Sequence, residues 1–140
     1  MHLFLLLILQ ATAAFGQVDP THCRFALGME DGRIKDNDIT ASSQWYETTG
    51  PKYARFNREE GDGAWCPKGE PSDSQYLQVD LGRLTFLTVV GTQGRYARSS
   101  GKEYATAYRL NYSRDGQTWK SWQNRQGNTV SQTHQGQVKT

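Results

Sequence analysis

The chain has 140 residues, room for one domain and not for a separate catalytic one, since domains usually run to about 100–150 residues. Hydrophobic residues make up 36% and charged residues 21%, with seven Tyr, five Phe and four Trp, the composition of a small polar globular domain and of neither a disordered nor a membrane-spanning chain. Sixteen Lys and Arg against fourteen Asp and Glu leave a formal net charge of +2 without a basic block, so nothing points to nucleic acid and little to an anionic membrane.

Residues 1–16 stand apart. Leu3 to Leu9 is an unbroken apolar run followed by the small residues Ala11, Thr12, Ala13 and Ala14, the pattern of a secretory signal peptide cleaved after Ala13 or after Gly16. The run is far shorter than the roughly 20 residues that cross a bilayer as a helix. Residues 17–140 are then the exported domain. In an oxidising compartment Cys23 and Cys66, taken alone, read as one disulfide.

From Gln17 to about Pro51 the chain is rich in Gly, Asp, Ser and Thr without helical period, which predicts loops with short strands. Asp36-Asn37-Asp38-Ile39-Thr40 reads as a turn entering an extended segment. Asn57 to Ser74 is a second loop, broken by Gly61, Gly63, Pro67, Gly69 and Pro71. Tyr76 to Leu81 is a half-buried strand with Leu77, Val79 and Leu81 on one face. Thr85 to Val90 is apolar and β-branched on both faces, which predicts a strand covered on both sides at the centre of the core. Tyr108, Leu110 and Tyr112 alternate with Arg109 and Asn111 in a third strand, ended by the Asp115-Gly116 reversal. Trp119 and Trp122 either return along an antiparallel partner or cap one end of the fold. Beyond Gln126 only Val130 and Val138 are apolar, so the closing strands are expected to be missing. The pattern is all-β with long loops at one end.

Catalytic constellations are absent from the sequence, and no cofactor is called for. His2, His22 and His134 fall in the leader, just after it and in the tail, away from any Ser or Cys that could serve as nucleophile. Gly94 to Lys102 has the wrong spacing for a phosphate loop. Asp36, Asp38, Thr40, Ser42, Gln44 and Glu47 follow the spacing of a calcium loop, but Ala41 stands where the loop needs Gly and no amphipathic helix flanks it, so an ordinary turn is the better reading and no metal is expected. Asn111-Tyr112-Ser113 is the one glycosylation sequon, open to modification or to a plain solvent-facing Asn.

Five segments together resemble the discoidin, or coagulation factor 5/8 type C, family: Cys23 to Met29, Asp38 to Trp45, Tyr76 to Gly82 (YLQVDLG), Val89 to Arg95 (VVGTQGR) and Tyr108 to Trp119 (YRLNYSRDGQTW). The resemblance implies a β-sandwich, or distorted jelly-roll barrel, with its ligand site on loops at one end. Glu59 to Pro67 (EEGDGAWCP) and Val90 to Arg95 (VGTQGR) are similar to the discoidin domain receptor branch, collagen-activated tyrosine kinases whose discoidin domain holds triple-helical collagen. The chain then reads as a non-enzymatic fragment of a receptor ectodomain, incomplete at its carboxy terminus.

By that resemblance the collagen-facing residues are Trp45, Thr49, Asp62, Arg95 and Glu103. Their chemistry suits a triple helix, which presents a rigid rod with imino-acid rings and backbone carbonyls. Trp45 would supply an apolar floor, Thr49 and Asp62 polar contacts, and an Arg95–Glu103 ion pair a wall. In the family Cys23 and Cys66 each take a partner beyond Thr140, so here they would stay unpaired or join each other, and oligomers through unpaired cysteines are expected. A phosphatidylserine-membrane site on Trp45-Tyr46 is the alternative, opposed by Glu47, Asp62 and Glu103. A glycan site would need an aromatic and amide rim that the sequence does not display.

Overall fold

The computed structural model describes residues 25–70, 72–97, 101–129 and 131–133. The leader at 1–16 and Cys23 lie outside them. Regular structure among the described residues consists of strands and short 3-10 turns, as the all-β reading expects.

The first 3-10 turn, Asp36–Asp38, is closed by the Asp38 carboxylate, which accepts the Lys35 N–H at 3.2 Å. The chain then extends into β1 (Ile39–Ala41), where β-branched Ile39 and Thr40 favour the pleated conformation. β1 pairs antiparallel with β2 (Leu77–Val79), Ile39 opposite Val79 and Ala41 opposite Leu77. Backbone bonds continue this pairing beyond both strands, from Asp80 N–H to Asp38 C=O at 2.7 Å and from Ser42 N–H to Tyr76 C=O at 3.0 Å. Ile39 and Ile34 are the buried apolar side chains here. Beside them the buried Arg55 donates to the carbonyls of Met29 (3.1 Å) and Ile34 (2.9 Å) and to the Asp36 carboxylate (2.5 Å). A buried guanidinium with three acceptors joins the amino-terminal loops to the 3-10 turns.

β3 (Arg95–Ala97) and β4 (Gly101–Glu103) form a hairpin with Arg95 opposite Glu103. Gly94 enters it because a Cβ there would strike the Glu103 backbone carbonyl. β5 (Ala107–Arg109) pairs with β8 (Ser131–Thr133), and β6 (Asn111–Tyr112) with β7 (Lys120–Ser121), all antiparallel. Gly116, at φ +71°, turns the chain between β6 and β7, while the Asp115 carboxylate accepts the N–H groups of Gln117 (2.9 Å) and Thr118 (2.7 Å). The four two-stranded sheets do not close into a barrel among the described residues.

The strand expected over Thr85 to Val90 is not found, and the side chains of this run are open: Phe86 is 78% and Val89 64% exposed, with Leu84 beside them at 77%. A strand buried on both faces needs a ladder on each edge and a layer on each side, and the described residues supply neither to this run. β8, in the tail, does not close the sheets and forms only a two-stranded pair with β5 among the described residues. Its polar Ser-Gln-Thr sequence carries no apolar alternation, and it is recruited by backbone pairing with β5. Of the two readings of Trp119 and Trp122, the return along an antiparallel partner holds, since β7 lies between them and Trp122 N–H donates to Leu110 C=O at 2.8 Å.

Candidate functional site

Three segments distant in sequence meet at one surface: the loop from Ser42 to Gly50, the loop from Glu60 to Lys68, and the β3–β4 hairpin. A 3-10 turn at Glu47–Thr49 shapes the first loop. Thr49 is 2% exposed, and its hydroxyl donates to Tyr46 C=O (3.0 Å) while accepting Tyr46 N–H (2.9 Å). It therefore staples the turn. Its neighbour Thr48 reaches outward, donating its hydroxyl to the Asp62 carboxylate at 3.0 Å and accepting Asp62 N–H on its carbonyl at 2.8 Å. Gly61 permits that approach, since at φ +63° a Cβ would lie 2.5 Å from the Thr48 carbonyl and 2.8 Å from the Tyr53 ring.

Cys66 joins the two loops through its backbone, accepting Trp45 N–H at 2.9 Å and donating to Thr49 C=O at 3.1 Å. Held in this way, Trp45 is 51% exposed, a surface aromatic and not a core one, and stands edge-to-face with Tyr46 at 6.2 Å between ring centroids. Burial pushes the Cys66 thiol up, with the negative fields of Glu103 and Asp62 helping and Arg95 opposing. A half-buried, protonated thiol is a poor nucleophile.

Arg95 is the hub of the polar wall. Its Nε and Nη2 each lie 2.8 Å from one Glu103 carboxylate oxygen, its Nη1 donates to Asp62 C=O at 3.1 Å, and the Asp62 carboxylate is 3.8 Å away. Its side chain is 17% exposed, so this is no freely screened surface pair. Burial disfavours its charge, but the hydrogen bond to Glu103 and the fields of both carboxylates outweigh that, and its pKa lies above the ordinary guanidinium value. The expected Arg95–Glu103 pair is present, with Asp62 as a third member.

The structure thus brings Asp62, Arg95 and Glu103 into direct contact and links Trp45 and Thr49 to them through Cys66 and Thr48. Thr48, Ser43, Trp65 and Gln75 support the same loops and were missed in sequence, where single hydroxyls and amides carry no pattern. No cluster of three or more His, Cys, Asp or Glu among the described residues could hold a metal ion. Asn111 lies apart from this surface, exposed on β6, with its carbonyl oxygen accepting the Ser121 hydroxyl at 2.9 Å. No helix among the described residues is long and apolar enough to cross a membrane.

The F5/8 type C domain profile matches residues 38–140. The epithelial discoidin domain-containing receptor 1 of Homo sapiens is 50% identical over 131 residues, covering 91% of this chain. The discoidin domain-containing receptor A of Caenorhabditis elegans is 44% identical over 105 residues, 73% of this chain, and neuropilin-1 of Mus musculus 43% over 98 residues, 69% of it. The chain spans 14% of the length of each of the two receptors and 10% of neuropilin-1. The all-β pattern, the loops gathered at one surface and a match across most of the sequence agree, and the chain belongs to the F5/8 type C, or discoidin, family of β-sandwich domains.

Proposed function

We propose that this chain is an extracellular collagen-binding module, the ligand-holding part of a discoidin domain receptor ectodomain, exported by its 1–16 leader and itself without catalytic activity. The observation that carries this reading is the Arg95 guanidinium locked between Glu103 and Asp62 on the surface that also presents the open Trp45 ring. A triple helix is a stiff rod with apolar rings and carbonyl acceptors. A prearranged aromatic and a fixed polar wall meet such a rod without losing side-chain freedom on binding. Thr49 serves the site from below, by holding the turn that carries Trp45, while Thr48 and Asp62 face outward. The kinase of the Caenorhabditis elegans discoidin domain-containing receptor tyrosine kinase B lies beyond the matched segment, which is 12% of that protein.

Surface plasmon resonance on immobilised collagen tests the reading. Saturable binding to triple-helical collagen is expected, with loss of binding after heat denaturation, and Trp45→Ala should weaken it by about thirtyfold or more, the effect of removing an interface aromatic worth about 2 kcal/mol. Unchanged binding by Trp45→Ala would remove the centre of the site. Co-flotation with phosphatidylserine vesicles in the absence of collagen affinity would turn the assignment to a membrane surface.

A further inference from the structure

Gln75 lies just before β2 and outside the five residues of the proposed collagen site, yet its carboxamide closes a hydrogen-bonded ring around the loop that carries Trp45. Its Oε1 accepts the hydroxyls of Ser42 at 2.7 Å and Ser43 at 2.8 Å, and its Nε2 donates to Lys68 C=O at 3.2 Å. The Ser43 hydroxyl, having donated its proton to Gln75, turns a lone pair to Lys68 N–H at 2.9 Å. Ser43 C=O accepts the Trp65 indole N–H at 2.8 Å. Two residues further along, Trp45 N–H donates to Cys66 C=O at 2.9 Å. Ser43 with Lys68 and Trp45 with Cys66 are therefore two successive rungs between antiparallel segments. In the first rung a serine hydroxyl replaces a backbone carbonyl.

A backbone carbonyl points where the chain points it, whereas a hydroxyl rotates and accepts in the right direction only if its own proton has a fixed acceptor. Gln75 is that acceptor, and the same group anchors the opposite segment by donating to Lys68. Glutamate could accept both hydroxyls but would set a carboxylate against the Lys68 carbonyl. Leucine would offer neither bond.

We infer that Gln75 is a positioning residue of the collagen site, which sets the register of the 43–45 segment on the 66–68 segment and so fixes where the Trp45 ring stands beside the Arg95 wall. The inference rests on the collagen reading for its functional consequence and on the hydrogen-bond ring alone for its structural one. The full chain labelled with fluorotryptophan gives each consequence its own readout, with the Trp45 fluorine resonance assigned from Trp45→Phe. In Gln75→Leu the Trp45 resonance should shift or broaden while those of Trp119 and Trp122 stay in place, and affinity for triple-helical collagen should fall about tenfold. Gln75→Glu, which keeps the two hydroxyl contacts, should fall between the leucine variant and the parent in both readouts, and it carries the test if the leucine variant fails to fold. On a Trp45→Phe background Gln75→Leu should cost no further collagen affinity. An unmoved Trp45 resonance in both variants, or displacement of all tryptophan resonances together, would overturn the positioning role. A Trp45 resonance that moves while neither Gln75→Leu nor Trp45→Ala alters collagen binding would overturn Gln75 as a residue of the collagen site and leave only its hold on Trp45, whereas a parent chain that binds no collagen would overturn the collagen reading instead.

Discussion

Arg95 shows why residue type matters more than charge at this surface. Three of its nitrogens are committed in different directions, two to Glu103 and one to the Asp62 carbonyl. A lysine ammonium keeps the charge but cannot reproduce the planar fork. Arg95→Lys should therefore lose about tenfold in collagen affinity by surface plasmon resonance, nearly as much as removing the charge. The second residue-scale expectation concerns acid. The Asp36 carboxyl lies below the usual carboxylate range because Arg55 donates a hydrogen bond to it. A depressed folded pKa gives stability that is fully present above the unfolded value of about 3.9 and lost as pH falls through the folded value. Asp31 and Asp115 are lowered too, by backbone N–H donors. The thermal midpoint should fall on acidification below about pH 4, and fall less in Asp36→Asn, since that variant has already lost the titrating partner of Arg55. Little of this was legible beforehand. Arg95 and Glu103 came from the family resemblance, whereas Arg55 reads as any surface arginine until the carbonyls of residues 21 and 26 positions away are folded around it.

Among the elements, the β3–β4 hairpin is the one whose sequence leaves least freedom. A methyl group at Gly94 would meet the Glu103 carbonyl and the Tyr104 side chain, so Gly94→Ala must part the strands where Arg95 faces Glu103. An overpacked contact of this kind costs about 1–3 kcal/mol. It should appear as a lower denaturant midpoint together with weakened collagen binding, while Gly91→Ala, where no atom lies within 4 Å of the added group and the backbone is not left-handed, should leave binding unchanged. Strands were legible where side chains alternate, as at Leu77 to Val79 and at Tyr108 to Tyr112, although the latter is broken at Leu110 into β5 and β6, which pair with different strands. They were misread where alternation says nothing about a partner: Thr85 to Val90 is apolar enough for a core yet forms no strand, and Ser131 to Thr133 is polar yet lies in one. Pairing is a property of two segments, and one segment's composition reports only half of it.

At the scale of the whole molecule, the all-β class and the long loops were both readable, but the distribution of apolar surface was not. Leu84, Phe86, Leu87, Val89 and Val90 are all exposed, five apolar side chains within seven residues, and clustered exposed apolar groups favour association. The chain on its own should self-associate at micromolar concentration, and light scattering should show a larger monomer fraction once Phe86 and Val89 are both replaced by Lys. Monomers at every concentration in the parent chain would refute this. The connectivity of the site has a further consequence, in time. Arg95 reaches Glu103 across 8 residues, but it reaches Asp62 across 33, and Ser43 reaches Gln75 across 32. Long loops close more slowly than short ones. The hairpin can therefore form early, with its arginine already aimed, while the aromatic half of the surface arrives only when the most distant parts of the chain have met, so the capacity to recognise a ligand is among the last properties this fold acquires and among the first it gives up.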